Sequence, residues 1–283
     1  MKIEKILAGI DFGKDTEKVL AYASLFAEVF GASLNLLYVI DYLITPPTYL
    51  TPYIEEEKKV AEKNFTMWKK QLTDAGIKTK TEVTVGRLHE SFEAAVKKTG
   101  ADMLVLGFMS HALRRSSSEK LIKGLQMPML VVRGEKTGSA KTGTIQIRKI
   151  LCPTDFSEIS MKAMQVSREL KDIFASRLDI LHISPDYLIR EMETLKERDR
   201  VLRELQEKAK NKLDKCFRDY NIQDTGIIDE GEPDKRIVSF SKENDVDLIV
   251  MGARGLGIIK GMLIGSVTDA VLKSSPCPVL VIH

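Results

Sequence analysis

The sequence is poor in the features that mark secreted, membrane-spanning and disulfide-stabilised proteins. Its three cysteines, Cys152, Cys216 and Cys277, are far apart and odd in number, so we predict no disulfide framework and expect a reducing cytoplasm. The longest apolar runs, such as Val279–Ile282, are the length of a strand, far short of the roughly 20 residues of a membrane span. The opening segment, Met1–Lys5, carries charges where a signal peptide needs an apolar stretch. We therefore expect neither secretion nor membrane insertion.

An excess of charge of one sign is also missing. The 283 residues include 43 basic and 40 acidic side chains, a formal net charge of +3. Up to Thr144 there are 21 basic and 17 acidic residues, and 22 and 23 follow, so neither half has the basic surplus of a nucleic-acid-binding domain. The four histidines have no metal-ligand spacing to one another or to the cysteines, so no metal site is predicted.

What the sequence does contain is a long internal repeat. The shift between the two copies is 144 residues at the start, 145 further along and 150 at the end. The aligned segments are Lys5–Leu7 with Lys149–Leu151, Asp11–Phe12 with Asp155–Phe156, Ala101–Gly107 with Val246–Gly252, and Pro128–Val132 with Pro278–Ile282. The period is much longer than a solenoid repeat. It predicts tandem domains at residues 1–133 and 148–283, joined by a polar, glycine-rich linker at 134–147.

Each half alternates strand-like and helix-like segments. In the second half the apolar spacing predicts strands at 149–153, 178–183, 227–229, 248–251 and 279–282, and helices at 158–174, 187–220, 233–244 and 267–273. In the first half a long helix is predicted at 54–75, after a loop, 45–52, whose three prolines favour an extended or mobile chain. Alternation of this kind predicts an α/β fold, with a parallel sheet and helices on both faces in each domain.

A glycine pattern, G-x2-G-x9-G-S, follows the fourth predicted strand of the second half. It runs from Gly252 to Gly265 and Ser266, and a helix is predicted directly after it. Glycines let backbone N–H groups approach a phosphate, and the following helix directs its free N–H groups and positive dipole end at the ligand. Arg254 could add charge, and Ser266 and Thr268 could add hydroxyl donors. The pattern therefore predicts an anion site.

Two other phosphate-binding loops are excluded by spacing. The P-loop pattern G-x4-G-K-[ST] does not occur, and the dinucleotide pattern G-x-G-x-x-G fails because Lys260 stands at its last position.

The second half instead resembles a universal stress protein domain of the nucleotide-binding type. The resemblance is carried by the glycine spacing, the opening Leu151–Asp155 and the close Pro278–Ile282. Because the first half matches the general domain pattern, the whole chain resembles a tandem universal stress protein.

This resemblance implies a five-stranded parallel sheet of order 3-2-1-4-5 in each domain. Ligands in such sheets bind where the strand order changes direction, between strands one and four. The implied nucleotide-binding residues are Pro153, Thr154 and Asp155 for adenine and ribose, Ile183 and Met251 beside the base, and Gly252, Arg254, Gly255, Gly265, Ser266, Val267 and Thr268 for the phosphates. Three alternatives stay open: Asp155 could cap the next helix, the glycines could form a mobile loop without ligand, and Arg254 could be a surface charge.

The first half keeps Asp11 but not the glycine loop. Its loop is five residues shorter, and Arg115 takes the place of Gly265. Without the glycines the backbone cannot wrap a triphosphate in the same way, and the bulky Phe108 and Met109 could occupy ligand space. We expect a degenerate half that is kept for pairing with the other, although Arg115 and its neighbours could still hold a single anion.

The resemblance implies a stress-response protein that binds ATP, ADP or AMP, with Mg²⁺ as an optional companion, and acts through conformation or partners. No positioned general base is evident, so we expect at most slow ATP hydrolysis and no catalytic residue. Two alternatives stay open: an adenylyl-transfer enzyme, by fold analogy, and a ligand-free interaction module.

The apolar last strands, Met129–Val132 and Val279–Ile282, favour pairing of the two domains, and a homodimer of the whole chain is also expected.

Overall fold

The computed structural model of the chain describes residues 1–41, 47–108, 121–122, 124–133, 145–185, 194–255 and 264–283. The chain divides into two compact units, one containing Met1–Arg133 and the other Gln146–His283. Most of the predicted linker, at residues 134–144, lies outside the described residues.

In the described part of the first unit, strands alternate with helices from β1 to β4, and β5 follows. Its elements are β1 (Lys5–Ile10), α1 (Thr16–Phe30), β2 (Ser33–Ile40), α2 (Pro47–Asp74), β3 (Thr79–Val85), α3 (Leu88–Thr99), β4 (Met103–Gly107) and β5 (Met129–Val132). The helices α1 and α3 both end at a glycine in the left-handed conformation, Gly31 at φ 62° and Gly100 at φ 63°. These glycines terminate the helices because other residues adopt this conformation at a cost.

The second unit repeats this plan. Its elements are β6 (Lys149–Pro153), α4 (Glu158–Phe174), β7 (Arg177–Pro185), α5 (Leu195–Asp219), β8 (Thr225–Gly231), α6 (Pro233–Glu243), β9 (Leu248–Gly252), α7 (Ser266–Ser274) and β10 (Val279–Ile282). The helix α4 begins at Ser157, whose side chain accepts a hydrogen bond from the backbone N–H of Ser160. The helix α6 begins with Pro233, at a position where a missing N–H costs nothing.

Both units have the strand order that the resemblance implies. The order is β3-β2-β1-β4-β5 in the first unit and β8-β7-β6-β9-β10 in the second, which is 3-2-1-4-5 within each, and the pairs are parallel. The central strands are buried along their length, as at Met103–Leu106 and Leu248–Gly252. Because alternate residues of a strand point to opposite faces, helices cover both faces of each sheet.

One predicted loop is wrong. The prolines at 45–52 favoured an extended or mobile chain, but the structure places Pro47 and Pro52 inside α2, while residues 42–46 lie outside the described residues. Pro47 is the first helical residue, where the backbone N–H has no intrahelical acceptor. Pro52, the sixth, removes one backbone hydrogen bond in a helix of 28 residues. The length of the helix therefore outweighs the local preference.

Candidate nucleotide site

The candidate site lies where two neighbouring strands of the second unit end. The strands β6 and β9 are parallel partners, with Ile150 opposite Leu248 and Leu151 opposite Ile249. The other neighbour of β6 is β7, so the chain leaves β6 on one side of the sheet order and returns on the other. This is the reversal point at which open α/β sheets bind ligands. The segments that follow Pro153 and Gly252 therefore form the candidate site.

Thr154 anchors the first of these segments. Its backbone N–H donates to the Leu181 carbonyl at 2.8 Å, and its hydroxyl oxygen accepts from the Phe156 N–H at 3.1 Å. The same hydroxyl lies 3.1 Å from the hydroxyl of Ser160, and only 5% of the residue is exposed. These contacts turn the side chain of Thr154 inward, so the side chain fixes the backbone of the turn.

Asp155 links the two segments. One of its carboxylate oxygens, Oδ1, accepts from the Ser157 N–H at 3.0 Å. The other, Oδ2, lies so close to Gly255 that any side chain there would collide with it. Because Ser157 itself is the N-cap of α4, Asp155 does not cap this helix, and its carboxylate lies at the edge of the glycine loop.

The glycine loop is held by backbone hydrogen bonds. The Ala253 N–H donates to the Ile282 carbonyl at 2.7 Å, and the Gly265 N–H donates to the Ala253 carbonyl at 2.8 Å. A Cβ on Gly252 would lie 2.8 Å from Cγ2 of Ile159, so Gly252 lets α4 approach the end of β9. The pattern's glycines at 252, 255 and 265 are thus brought together around Arg254, while residues 256–263 between them lie outside the described residues.

The helix α7 begins at this loop. Gly265 is its N-cap, and no side chain caps the helix there. The N–H groups of the first turn, which includes Ser266 and Val267, have no acceptor within the helix and carry its positive dipole end. The Thr268 hydroxyl donates to the Gly252 carbonyl at 2.9 Å and the residue is 3% exposed. This hydroxyl therefore ties α7 to β9, which sequence reasoning did not foresee.

The apolar side of the candidate site carries Ile183 and Met251. Both are buried, at 7% and 4% exposure, near the ends of β7 and β9.

Sequence reasoning missed their neighbour His182, whose Nδ1 donates to the Thr154 carbonyl at 2.9 Å and whose ring lies 4.5 Å from that of Phe156. Burial lowers the pKa of His182, and the bond to Thr154 opposes this effect. A neutral ring that supports the turn follows from these contacts.

Sequence reasoning also missed His283, which follows β10. Both ring nitrogens of His283 and Nε of Arg254 are buried without a hydrogen-bond partner in the described part of the chain. Burial, and then the charge of Arg254, lowers the pKa of His283 to about 4. Its position next to the glycine loop depends on strand pairing, so no local sequence signal could have revealed it.

The first unit builds a different structure at the equivalent place. Asp11 accepts from the Gly13 N–H at 2.9 Å and the Thr16 hydroxyl at 3.1 Å, which fixes the start of α1. Phe108 takes the place of Ala253 and is 7% exposed, with the guanidinium of Arg133 5.3 Å from the centre of its ring. The loop that follows, including Met109, Arg114 and Arg115, lies outside the described residues.

The described residues hold neither a metal-binding cluster nor a membrane-spanning helix. That part of the chain contains no cluster of three or more His, Cys, Asp or Glu side chains that could hold a metal ion. It also contains no helix that is long and apolar enough to span a membrane.

Comparison with known proteins gives a consistent family. The sequence model of the universal stress protein family matches residues 2–133 and again residues 146–283. A universal stress protein from Methanocaldococcus jannaschii is 32% identical over 156 residues, which are 49% of this chain and 96% of that protein. One from Bacillus subtilis is 32% identical over 48% of this chain and 98% of its own length.

Longer relatives span both halves. A universal stress protein from Mycolicibacterium smegmatis is 23% identical over 98% of this chain and 96% of its own. The crystal structure of one from Archaeoglobus fulgidus matches 99% of this chain and 96% of that one, with a TM-score of 0.73 and 22% identity. This structural likeness shows the fold.

Proposed function

This chain belongs to the universal stress protein family, and on that premise we propose that its second unit binds ATP or another adenine nucleotide in a stress response. The observation that carries the proposal is the meeting of Asp155 with the glycine loop at the reversal point of the sheet. The carboxylate borders Gly255, and the loop leads into the uncapped N-terminus of α7. This arrangement supports the proposal, because a carboxylate that can accept from ribose hydroxyls borders N–H groups that can donate to phosphate.

Each part of the site has a separate task in this proposal. The carboxylate of Asp155 accepts hydrogen bonds from the ribose, and the apolar surface around Ile183 and Met251, with Pro153, contacts the base. The backbone N–H groups of the glycine loop and of the first turn of α7, at Ser266–Thr268, donate to the phosphates. Arg254 adds a positive charge, and its Nε has no hydrogen-bond partner among the described residues.

The proposed output is conformational or through a partner. The carboxylates near the described part of the loop are Asp155, which holds the Ser157 N–H, and Asp269, which pairs with Lys273 at 2.6 Å. Neither is placed as a general base, so slow hydrolysis is the most we propose. The described residues supply no acidic cluster for a metal, and any Mg²⁺ would be held by phosphate oxygens and water.

A matched pair of variants tests the proposal. Asp155→Asn should weaken ATP binding to nucleotide-stripped protein by about tenfold, because a charged acceptor for the ribose is lost. Asp11→Asn makes the same change in the first unit and should leave ATP affinity unaltered. Isothermal titration calorimetry measures both. Equal effects of the two variants, or none from Asp155→Asn, would contradict the assignment.

The same samples separate the other two functions. Release of pyrophosphate from ATP with an acceptor would indicate adenylyl transfer. Absence of binding at millimolar ATP would leave a ligand-free interaction module. Mass spectrometry of the nucleotide released from protein purified without added ligand would identify the adenine nucleotide that it binds in the cell.

We also propose that the two units pair within the chain, that the whole chain forms a homodimer, and that it works in the cytoplasm. The apolar strands Met129–Val132 and Val279–Ile282 end the sheet order within their own units, where an uncovered strand would invite association. None of the three cysteines, which all lie among the described residues, forms a disulfide, and Cys152 and Cys277 are buried, which suits a reducing compartment.

A further inference from the structure

Three buried polar atoms without a hydrogen-bond partner belong to residues that follow the neighbouring strands β9 and β10. They are Nε of Arg254 and both ring nitrogens of His283, each buried and without a hydrogen-bond partner among the described residues. Leaving a buried polar atom unpaired costs about 1–3 kcal/mol. A polar ligand that reached this place would remove that cost, so the arrangement is unfavourable when empty and favourable when occupied.

Strand pairing places the two residues on neighbouring chain segments, and the charge of Arg254 acts on His283. On β10, Ile282 pairs with Gly252 of β9, and its carbonyl accepts from the Ala253 N–H at 2.7 Å. His283 directly follows Ile282, and Arg254 directly follows Ala253. A Cβ on Gly265 would lie 3.5 Å from Cα of Arg254, so the start of α7 passes the same point.

This inference rests on the proposed nucleotide site. We propose that His283 determines specificity for phosphate. Together with Arg254 it binds a phosphate oxygen of the nucleotide, and it takes up a proton when the phosphate binds. The Arg254 N–H and a ring N–H of His283 would donate to phosphate oxygens. His283 lies outside the glycine pattern, so this role adds a side chain to the site.

The electrostatics of the free site support this coupling. Without ligand, burial and then the charge of Arg254 hold the pKa of His283 at about 4, so the ring is neutral near pH 7. Acidic groups on the elements that meet here are already engaged: Asp269 of α7 with Lys273, Glu158 of α4 with Lys162, and Asp155 with the Ser157 N–H. A phosphate therefore brings new negative charge to the ring.

The sign of the pH dependence follows. Negative charge near an imidazole favours its protonated form, so the pKa of His283 is higher in the complex than in the free protein. Between the free and the bound pKa, ATP binding takes up a proton and tightens as the pH falls. Above the bound pKa, this contribution disappears. The nucleotide's own phosphate also titrates near pH 6, about one unit from neutrality, so the experiment must separate the two groups.

A variant that cannot be protonated makes this separation. His283→Gln leaves the titration of ATP in place, and we expect it to bind ATP about tenfold more weakly than wild type at about pH 6, as for a lost charge-assisted hydrogen bond. Calorimetry in two buffers of different ionisation enthalpy should show less proton uptake for the variant. The matched control is Arg133→Gln, at the equivalent position of the first unit, with affinity and proton uptake unchanged.

Nuclear magnetic resonance of the wild-type protein gives a second measure that needs no variant to fold. The ring resonances of His283 should report a pKa that rises on addition of ATP and stays near its free value with adenosine, which has no phosphate. An unchanged pKa with bound ATP, or equal proton uptake by wild type and His283→Gln, would overturn the proposal. Failure of the wild type to bind ATP at all would instead reject the nucleotide site, and this inference with it.

Discussion

At the scale of single residues, Gly252 and Gly265 belong to one sequence pattern but have different surroundings. A Cβ on Gly252 would lie 2.8 Å from the Ile159 side chain and 3.2 Å from the Ile159 backbone. Gly265 has an ordinary backbone conformation, φ −73° and ψ 156°, and a Cβ there would meet its nearest neighbour at 3.5 Å. Packing therefore requires the first glycine, whereas the second is open to a role in ligand binding.

These surroundings predict that the same substitution mainly affects stability at Gly252 and ATP binding at Gly265. Gly252→Ala should lower the free energy of unfolding by about 1–3 kcal/mol, because α4 must shift. Gly265→Ala should lower it by less than about 1 kcal/mol, since alanine is only a poorer N-cap, yet weaken ATP binding by narrowing the loop. Urea unfolding and calorimetric titration measure the two quantities. A strong loss of stability in Gly265→Ala with intact affinity would contradict the assignment.

The cysteines should be unreactive in the folded protein. Burial raises the pKa of Cys152 to about 12, and it also raises the pKa of the half-buried Cys216. Because the thiolate is the reactive form, Ellman's reagent at about pH 8 should modify neither rapidly, and the 1%-exposed Cys277 should be protected by burial. As the pH is raised, Cys216 should react first, and urea should expose all three. Rapid modification of Cys152 in the folded protein would contradict the structure.

At the scale of elements, both units use the same turn from first strand to first helix. In each, an aspartate is followed by a phenylalanine in the left-handed conformation, Phe12 at φ 54° and Phe156 at φ 65°. This conformation is unfavourable for a bulky residue, and surrounding contacts maintain it. Phe12 packs against Tyr38 and Trp68, with ring centres at 4.6 and 5.5 Å, whereas Phe156 packs against His182.

A buried ion pair distinguishes the strands of the two units. Asp179 of β7 is 1% exposed and lies 3.1 Å from Nζ of Lys149 on β6 and 3.2 Å from Nε of Arg177. Lys149→Met should therefore cost about 2–3 kcal/mol of stability in urea unfolding, because the carboxylate keeps only one partner in a buried place.

The repeat supplies the control for this prediction. Lys5 is the equivalent lysine of the first unit, and its sheet has Asn35 where the second unit has Asp179. Lys5→Met should therefore change the free energy of unfolding by no more than about 0.5 kcal/mol. Similar losses in both variants would show that the lysine stem, and not the ion pair, provides the stability.

The sequence predicts elements with strong local signals to the residue. The bounds of β6, α4 and β10 agree with their apolar spacing because a proline, a serine N-cap or a short apolar run marks each limit. The strand order came from family resemblance, and from it the approach of Asp155 to the glycine loop. The Thr268 bond to Gly252 and the place of His283 were missed because they depend on contacts between distant segments.

At the scale of the whole molecule, two copies of one fold differ at the candidate site. Ala253, fully buried, follows β9 in the second unit, while the bulky Phe108 follows β4 in the first. The first half keeps Gly107 in the place of Gly252, but it has Ser110 and Arg115 in the places of Gly255 and Gly265. We therefore expect one binding unit and one partner unit in each chain.

Cleavage of the linker tests the proposed pairing of the units. A protease site inserted within residues 134–144 would let the halves be separated after folding. Paired halves should still elute together at the mass of the uncut protein, whose chain is 31.8 kDa. Elution as separate fragments of about half that size would contradict pairing.

The stoichiometry of ATP binding tests the central claim most directly. Equilibrium dialysis of nucleotide-stripped protein with saturating ATP should give one bound ATP per chain. At subsaturating ATP, Asp155→Asn, but not Asp11→Asn, should lower the amount of ATP bound per chain. Two bound ATP molecules per chain, or none at millimolar concentration, would contradict an account in which only the second unit binds the nucleotide.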